Sequence, residues 1–143
     1  MAIKSPKAKG AAGELEAIRL LDSWATEAGY KLSLERNLEQ VRHGGSDING
    51  VAGLEIEIKR VESNAITQWW AQVTKQANRT GKHPVLLHRK NRQPWRMRTV
   101  VFAALYGEHS SGVVPMVCDM DLPSAKAWFI GYLKHATKEK EDE

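Results

Sequence analysis

Residues 44–62 read GGSDINGVAGLEIEIKRVE, and the second half of that stretch decides the fold. From Leu54 onward the residues alternate: Leu54, Ile56 and Ile58 are apolar, whereas Glu55, Glu57 and Lys59 are charged. Alternation with a period of two places the two sets on opposite sides of a β-strand. Asp47 lies a short loop or hairpin upstream, within reach of the charged side. Two carboxylates that converge repel each other unless a cation sits between them, and a hard oxygen set suits Mg²⁺, with Mn²⁺ as substitute. Lys59, one strand repeat beyond Glu57, is placed to hold an attacking water or to steady a phosphate. That equipment serves metal-assisted hydrolysis of a phosphodiester. The plainer reading is that alternating charge marks the solvated face of an antiparallel sheet.

Charge distribution favours the first reading. The chain of 143 residues carries a formal net charge of +4, but between Ser63 and Gly107 there is no Asp or Glu. The same stretch holds Lys75, Arg79, Lys82, Arg89, Lys90, Arg92, Arg96 and Arg98. An ordinary solvated face mixes signs, whereas a one-sign surface suits a polyanion, which makes DNA the leading partner.

Working outward, Ala11 to Ala28 has helical spacing, with Ala17, Ile18, Leu21, Trp24, Ala25 and Ala28 on one stripe. Glu14 falls on that stripe, where it either caps the helix start or points into a site. Tyr30 to Leu38 alternates weakly as a strand, and Asp47–Val51 with Leu54–Val61 reads as a hairpin. A second helix over 66–80 is closed by Gly81, with Ile66, Trp70, Val73 and Ala77 inward. Trp69, Gln72, Gln76 and Arg79 line another face of it, as plain surface groups or as contacts to phosphates and bases. Strands follow over 85–88 and 95–103, joined by the basic turn 89–94, with a short strand over 113–118 and a helix over 123–135. The order predicts an α/β fold with a mixed central sheet flanked by helices. One domain is expected over 10–135, between a flexible basic arm (1–9) and a flexible charged tail (136–143).

Other chemistries find no support. Five histidines lack zinc-ligand spacing, and the single Cys118 cannot complete a cluster or an internal disulfide. No phosphate-binding glycine loop is present, so no nucleotide cofactor is expected. No apolar run approaches the roughly 20 residues of a membrane span, and a soluble, cytoplasmic protein is expected.

Lys9-Gly10-Ala-Ala-Gly-Glu14, then Gly44-Gly45-Ser46-Asp47-Ile48, then Glu57-Ile58-Lys59 resembles the PD-(D/E)xK nuclease superfamily. Within it, the chain is most similar to archaeal-type Holliday junction resolvases and related small phage endonucleases. The likeness covers roughly residues 9–100, including His83-Pro84-Val85-Leu86-Leu87 and Trp95-Arg96-Met97. The motif's proline is replaced by Ser46, and Glu55 offers a competing carboxylate. The resemblance implies a restriction-endonuclease-like core in which Asp47, Glu57 and the backbone carbonyl of Ile58 hold the metal. It makes Lys59 the residue that positions water, and Glu14 a further catalytic acid acting through a second ion or a bound water. It places Arg36 and Arg42 on DNA, beside Gln72, Gln76, Arg79 and a basic track of Lys82, Arg89, Lys90, Arg92, Arg96 and Arg98. The implied activity is a Mg²⁺-dependent endonuclease of branched DNA. Two symmetric nicks in a four-way junction call for a homodimer, with Trp69, Trp128 and Phe129 as candidate interface groups. The alternatives are the same fold acting on other DNA, as a nickase, restriction-type enzyme or exonuclease, and a DNA-binding protein that does not cut.

Overall fold

The computed structural model describes residues 6–38, 46–60 and 65–141, with side chains described from Gly10 to Ala136 inside those ranges. Helix α1 spans Pro6–Glu27 and buries Ala17, Leu21, Trp24 and Ala25, the stripe that the spacing predicts. It begins at a proline, whose fixed φ and missing N–H suit a first helical turn, so residues 6–9 are helical and not part of an arm. Two short strands follow, β1 (Glu35–Arg36) and β2 (Ile48–Asn49), which pair with each other antiparallel.

The expected hairpin between 47–51 and 54–61 is therefore not formed. The reason lies at Gly50, which has a φ of 118° and sits so close to β1 that a Cβ there would stand 2.5 Å from the Ser33 carbonyl oxygen. That close turn sends β2 against β1 and leaves β3 (Leu54–Arg60) free to pair elsewhere. One backbone bond, from Asp47 N–H to Ile56 O at 2.8 Å, ties the β2 segment to β3.

Strand β3 continues into α2 (Ile66–Thr80) and β4 (His83–Arg89), which runs parallel to β3 from Leu54↔His83 to Arg60↔Arg89. A parallel neighbour requires a crossover, which α2 supplies. Its end matches the sequence reading: Gly81 is left-handed (φ 71°) and donates its N–H to Ala77 O. Strands β5 (Arg96–Tyr106) and β6 (Ser111–Met120) complete a sheet in the order β3-β4-β5-β6, antiparallel from β4 onward. Both are longer than the alternation suggested, because continuous apolar runs carry no period-two signal at their ends. Helix α3 spans Leu122–Glu141 and so extends into the segment expected as a flexible tail.

Helices α1 and α3 cover one face of the mixed sheet. The main core lies there, where Leu54, Ile56, Ile58, Val85, Leu87 and Met97 meet Leu21, Trp24 and Phe129. Fully burying Phe129 contributes on the order of 2–3 kcal/mol. Phe129 is inaccessible and so supplies no exposed contact for a second copy, whereas Trp128 is half-buried and stacked between His83 and Tyr132. Helix α2 covers part of the opposite face with Val73 and Ala77, where Leu86 is also buried. Among the described residues no helix is long and apolar enough to cross a membrane.

Candidate active site

Residues paired across a sheet share a face, so the register shows which side chains meet. Glu57 pairs with Leu86 and Lys59 with His88; Leu86 and His88 pair in turn with Arg98 and Arg96, and Arg98 with Asp119. Glu55, Glu57 and Lys59 therefore point to the face opposite the main core, as the alternation predicts. Their surroundings are not a solvated surface.

Glu55 is 1% exposed. Ser46 Oγ donates to it at 2.6 Å, Thr80 Oγ1 at 2.9 Å, and Lys82 Nζ stands 3.9 Å away. A buried carboxylate needs such partners. These bonds engage Glu55 in tying β3 to α2 and to the Ser46 segment. The serine that replaces the proline of the motif has a structural role.

Asp47 is 5% exposed, and its Oδ2 accepts the Ile58 N–H at 2.7 Å. Its carboxyl lies near enough to that of Glu57 to disfavour a second negative charge there. Burial, then the charge of Asp47, push Glu57 up from 4.5 to about 7, against the opposing pull of Lys59. Lys59 Nζ lies 3.6 Å from Glu57 Oε1. Three of the four residues expected to be catalytic are thus brought together at the free edge of the sheet. The N–H and C=O of one strand residue point to the same side, so the Ile58 carbonyl faces away from β4, toward Asp47.

Glu14 is only partly in this picture. Its Oε2 accepts from Arg36 Nε at 2.6 Å, which also gives Arg36 a partner in the protein. Among the described residues, no three His, Cys, Asp or Glu side chains gather closely enough to hold a metal ion. The carboxylate set is the Asp47–Glu57 pair, with Glu14 fixed beside Arg36. For a divalent ion the pair fits chemically. Both donors are hard oxygens, and the repulsion that raises Glu57 is what a cation relieves.

The basic track is less bare than its composition suggests, because acids from distant elements enter it. Glu16, which sequence reasoning passed over, accepts from Arg60 at 3.2 Å, from Trp95 Nε1 at 2.8 Å and from Arg89. Asp119 accepts from Arg96 Nε at 2.5 Å, Arg98 Nε at 3.0 Å and His88 Nε2 at 2.8 Å. Burial pushes the Asp119 carboxyl up, but Arg96, His88 and Arg98 outweigh it and hold the group below the usual carboxylate range. Gln76 receives Arg79, while Gln72 is exposed on α2. Lys90 is half-buried and Arg92 exposed, the latter in a left-handed turn (φ 64°). Arg42 and His43 lie outside the described residues. No local signal in the sequence marks Glu16 or Asp119, since each meets its partners only through the fold.

A cavity of about 290 Å³ opens beside this site. Trp69, His88, Arg89, Lys90, Gln93 and Arg96 are among the residues lining it. His88 is the register partner of Lys59, so the cavity begins one strand spacing, about 4.8 Å, from the lysine's strand.

Residues 5–118 match the family described as "Phage putative PDDEXK endonuclease". The chain belongs to this family. A 1.6 Å structure of Hjc, a Holliday junction resolvase from the archaeal hyperthermophile Archaeoglobus fulgidus, is also similar to it. The likeness is 16% in sequence, covers 83% of this chain and 96% of that one, and has a TM-score of 0.44. No curated protein matches the chain in sequence. Family membership agrees with the restriction-endonuclease-like α/β core and with the Asp47…Glu57-Ile58-Lys59 arrangement at its sheet edge.

Proposed function

We propose that this PD-(D/E)xK endonuclease is metal-dependent and structure-selective, hydrolysing phosphodiester bonds in branched DNA as a Holliday junction resolvase does, in the cytoplasm of a host cell. The observation that carries the chemistry is the Asp47–Glu57 carboxyl pair beside Lys59. Asp47, Glu57 and the Ile58 carbonyl would hold Mg²⁺ or Mn²⁺, which when bound stabilises the negative charge that develops on the phosphate. The Ile58 N–H fixes one Asp47 oxygen, so the carboxylate is oriented before substrate arrives. Lys59 is close enough to Glu57 to share a water with it and to steer that water toward phosphorus, in line with the departing 3′ oxygen. Glu14, oriented by Arg36, acts as a further acid at this edge through a second ion or a water.

DNA binding is assigned to the cations around the cavity. Lys90 and Arg92 hold phosphates directly, joined by Lys82 and by Gln72, Gln76 and Arg79 of α2. Arg36, Arg89, Arg96 and Arg98 contribute through their ion-paired positions. Phosphate contacts fix the register of a strand without reading its sequence. The preference for branched DNA rests on the likeness of Lys9-Gly10…Glu14, Gly44-Gly45-Ser46-Asp47 and Pro84-Val85-Leu86 to archaeal-type resolvases. Paired nicks call for two active sites, which a homodimer supplies.

The test uses purified protein with Mg²⁺ or Mn²⁺, a labelled four-way junction and the matching linear duplexes. Paired nicks restricted to the junction are expected, and they should vanish with Asp47→Asn. Equal cutting of linear duplex would retain the chemistry and discard the branch preference. Binding without cutting in either metal would overturn the catalytic reading.

A further inference from the structure

The outer half of the β5–β6 hairpin is apolar and uncovered. Phe102, Leu105, Tyr106, Val113, Val114, Met116 and Val117 are all among the exposed large hydrophobic residues, and Thr99–Gly107 and Ser110–Cys118 contain no charged side chain. The register divides them between two faces. Phe102 pairs with Pro115 and Ala104 with Val113, so Phe102, Tyr106, Val113 and Val117 share the face that carries Glu57 and Lys59. Leu105, Val114 and Met116 lie on the other face, toward the side that α3 covers.

Phe102 is 62% exposed, Tyr106 87%, Val113 65% and Val117 56%. These four residues present on the order of 500 Å² on one face, at the upper end of the roughly 300–600 Å² that the largest apolar patch of a monomer reaches. A standard interface buries about 800 Å² on each partner. The one face supplies somewhat over half of that figure.

The free edge of β6 points to the mode of association. Gly107 N–H bonds Ser110 O at 2.8 Å, and counting back from that bond makes Phe102–Pro115 a non-hydrogen-bonded pair. The donor that Pro115 lacks is thus missing from the outer edge of the sheet, which blunts strand-to-strand addition there. The apolar face is left as the surface able to bury itself. It offers no charge to match a nucleic acid, and a face of this composition is complementary to itself, as an isologous contact requires.

We infer that a second copy of this chain docks on the β5–β6 hairpin, through the face formed by Phe102, Tyr106, Val113 and Val117. This rests on the proposed function and deepens it by naming the surface that brings two active sites together, in place of the candidate groups Trp69, Trp128 and Phe129. Because β3 and β6 belong to one sheet, the interface and the Glu57 side of β3 lie on one face, three strand spacings or about 14 Å apart across the sheet and a further roughly 13–26 Å apart along the strands. The two active sites of such a dimer are held in fixed relation by the sheet and not by a linker.

The experiment measures the mass of the full chain in solution by light scattering at micromolar concentrations, with the double substitution V113K/V117K and, for the other face, V114K/M116K. Circular dichroism of each variant reports folding. The expected result is a wild-type mass twice that of the 16.0 kDa chain, a folded monomer for V113K/V117K, and a retained dimer for V114K/M116K. A monomeric wild type, or a V113K/V117K protein that remains dimeric, overturns the inference. If V113K/V117K does not fold, side-chain footprinting of the wild type decides: protection of Phe102 and Tyr106 that is lost on dilution supports the contact, and labelling independent of concentration overturns it. A hairpin protected only on addition of DNA or phospholipid vesicles assigns it to that partner and also overturns the inference. Asp47→Asn should keep the dimer mass while losing cleavage, so failure of the nuclease reading and failure of the interface are read separately.

Discussion

The two halves of the central sheet invert the usual placement of polar and apolar groups. In the inner half, β3 and β4 bury Glu55 and His88 among partners from α2, β6 and the segments at Ser46 and Lys82, and Asp47 is buried beside them. In the outer half, the same sheet leaves Phe102, Tyr106, Val113 and Val117 in the open. Buried charge costs several kcal/mol per ion unless it is paired and hydrogen-bonded, and an uncovered apolar patch of this size is a liability for a monomer. On the proposed reading, the inner half acts on a substrate and the outer half meets a second copy of the chain.

The comparison can be broken most severely at Asp47. Asp47→Asn removes the negative charge and one oxygen of the carboxylate pair while keeping an amide oxygen able to accept the Ile58 N–H. Loss of a metal-borne contribution worth several kcal/mol lowers the cleavage rate by at least about 10³-fold. Single-turnover kinetics on the junction would show it, and a rate within tenfold of wild type would remove Asp47 from the site.

Next in size is Glu16, which gathers Arg60, Arg89 and Trp95. Among the described residues, Arg60 Nε and Arg89 Nε are already buried without a hydrogen-bond partner, so Glu16→Gln leaves two guanidiniums poorly compensated. Glu16 is about one-third exposed, which screens the loss to about 1–2 kcal/mol. A fall in Tm of roughly 3–6 °C is expected for a chain of this length, measured by calorimetry in EDTA. V113K/V117K should shift the Tm of the dissociated protein far less, because those side chains have little to lose within one copy.

A pH scan sharpens the contrast further. The folded-state pKa of Glu57 is raised to about 7 from 4.5, so its protonated form is favoured by folding. The associated stability is fully present below about 4.5 and is lost as pH rises through about 7. Metal-free protein should therefore lose a few degrees of Tm between pH 5 and pH 7.5, and Glu57→Gln should flatten that slope. A slope unchanged by the substitution would place the titration elsewhere. The smallest effect is expected from Lys90→Ala or Arg92→Ala, each weakening DNA binding a few-fold and reducing the salt dependence by about one phosphate contact.

Much of this was legible in the sequence. Helix α2 and its Gly81 stop, the buried stripe of α1, and the inward and outward sides of β3 all follow from spacing and from a glycine's freedom at positive φ. The Asp47…Glu57-Ile58-Lys59 pattern was legible because both carboxylates and the lysine lie within thirteen residues, and a strand's period of two fixes their side. The path of β2 was not, because the turn at Gly50 is set by contact with Ser33, seventeen residues earlier.

Local pattern thus determined which strand carries the chemistry, since neighbours along a chain share dihedral geometry. That Glu55 is tied up by Ser46, Thr80 and Lys82, while Glu57 is not, was decided only by the tertiary structure. The charge of the basic stretch was likewise set by Glu16 and Asp119, and the exposure of the hairpin by where the helices end. These are long-range contacts, and a Coulomb or burial energy depends on distance in space, which the order of residues does not contain.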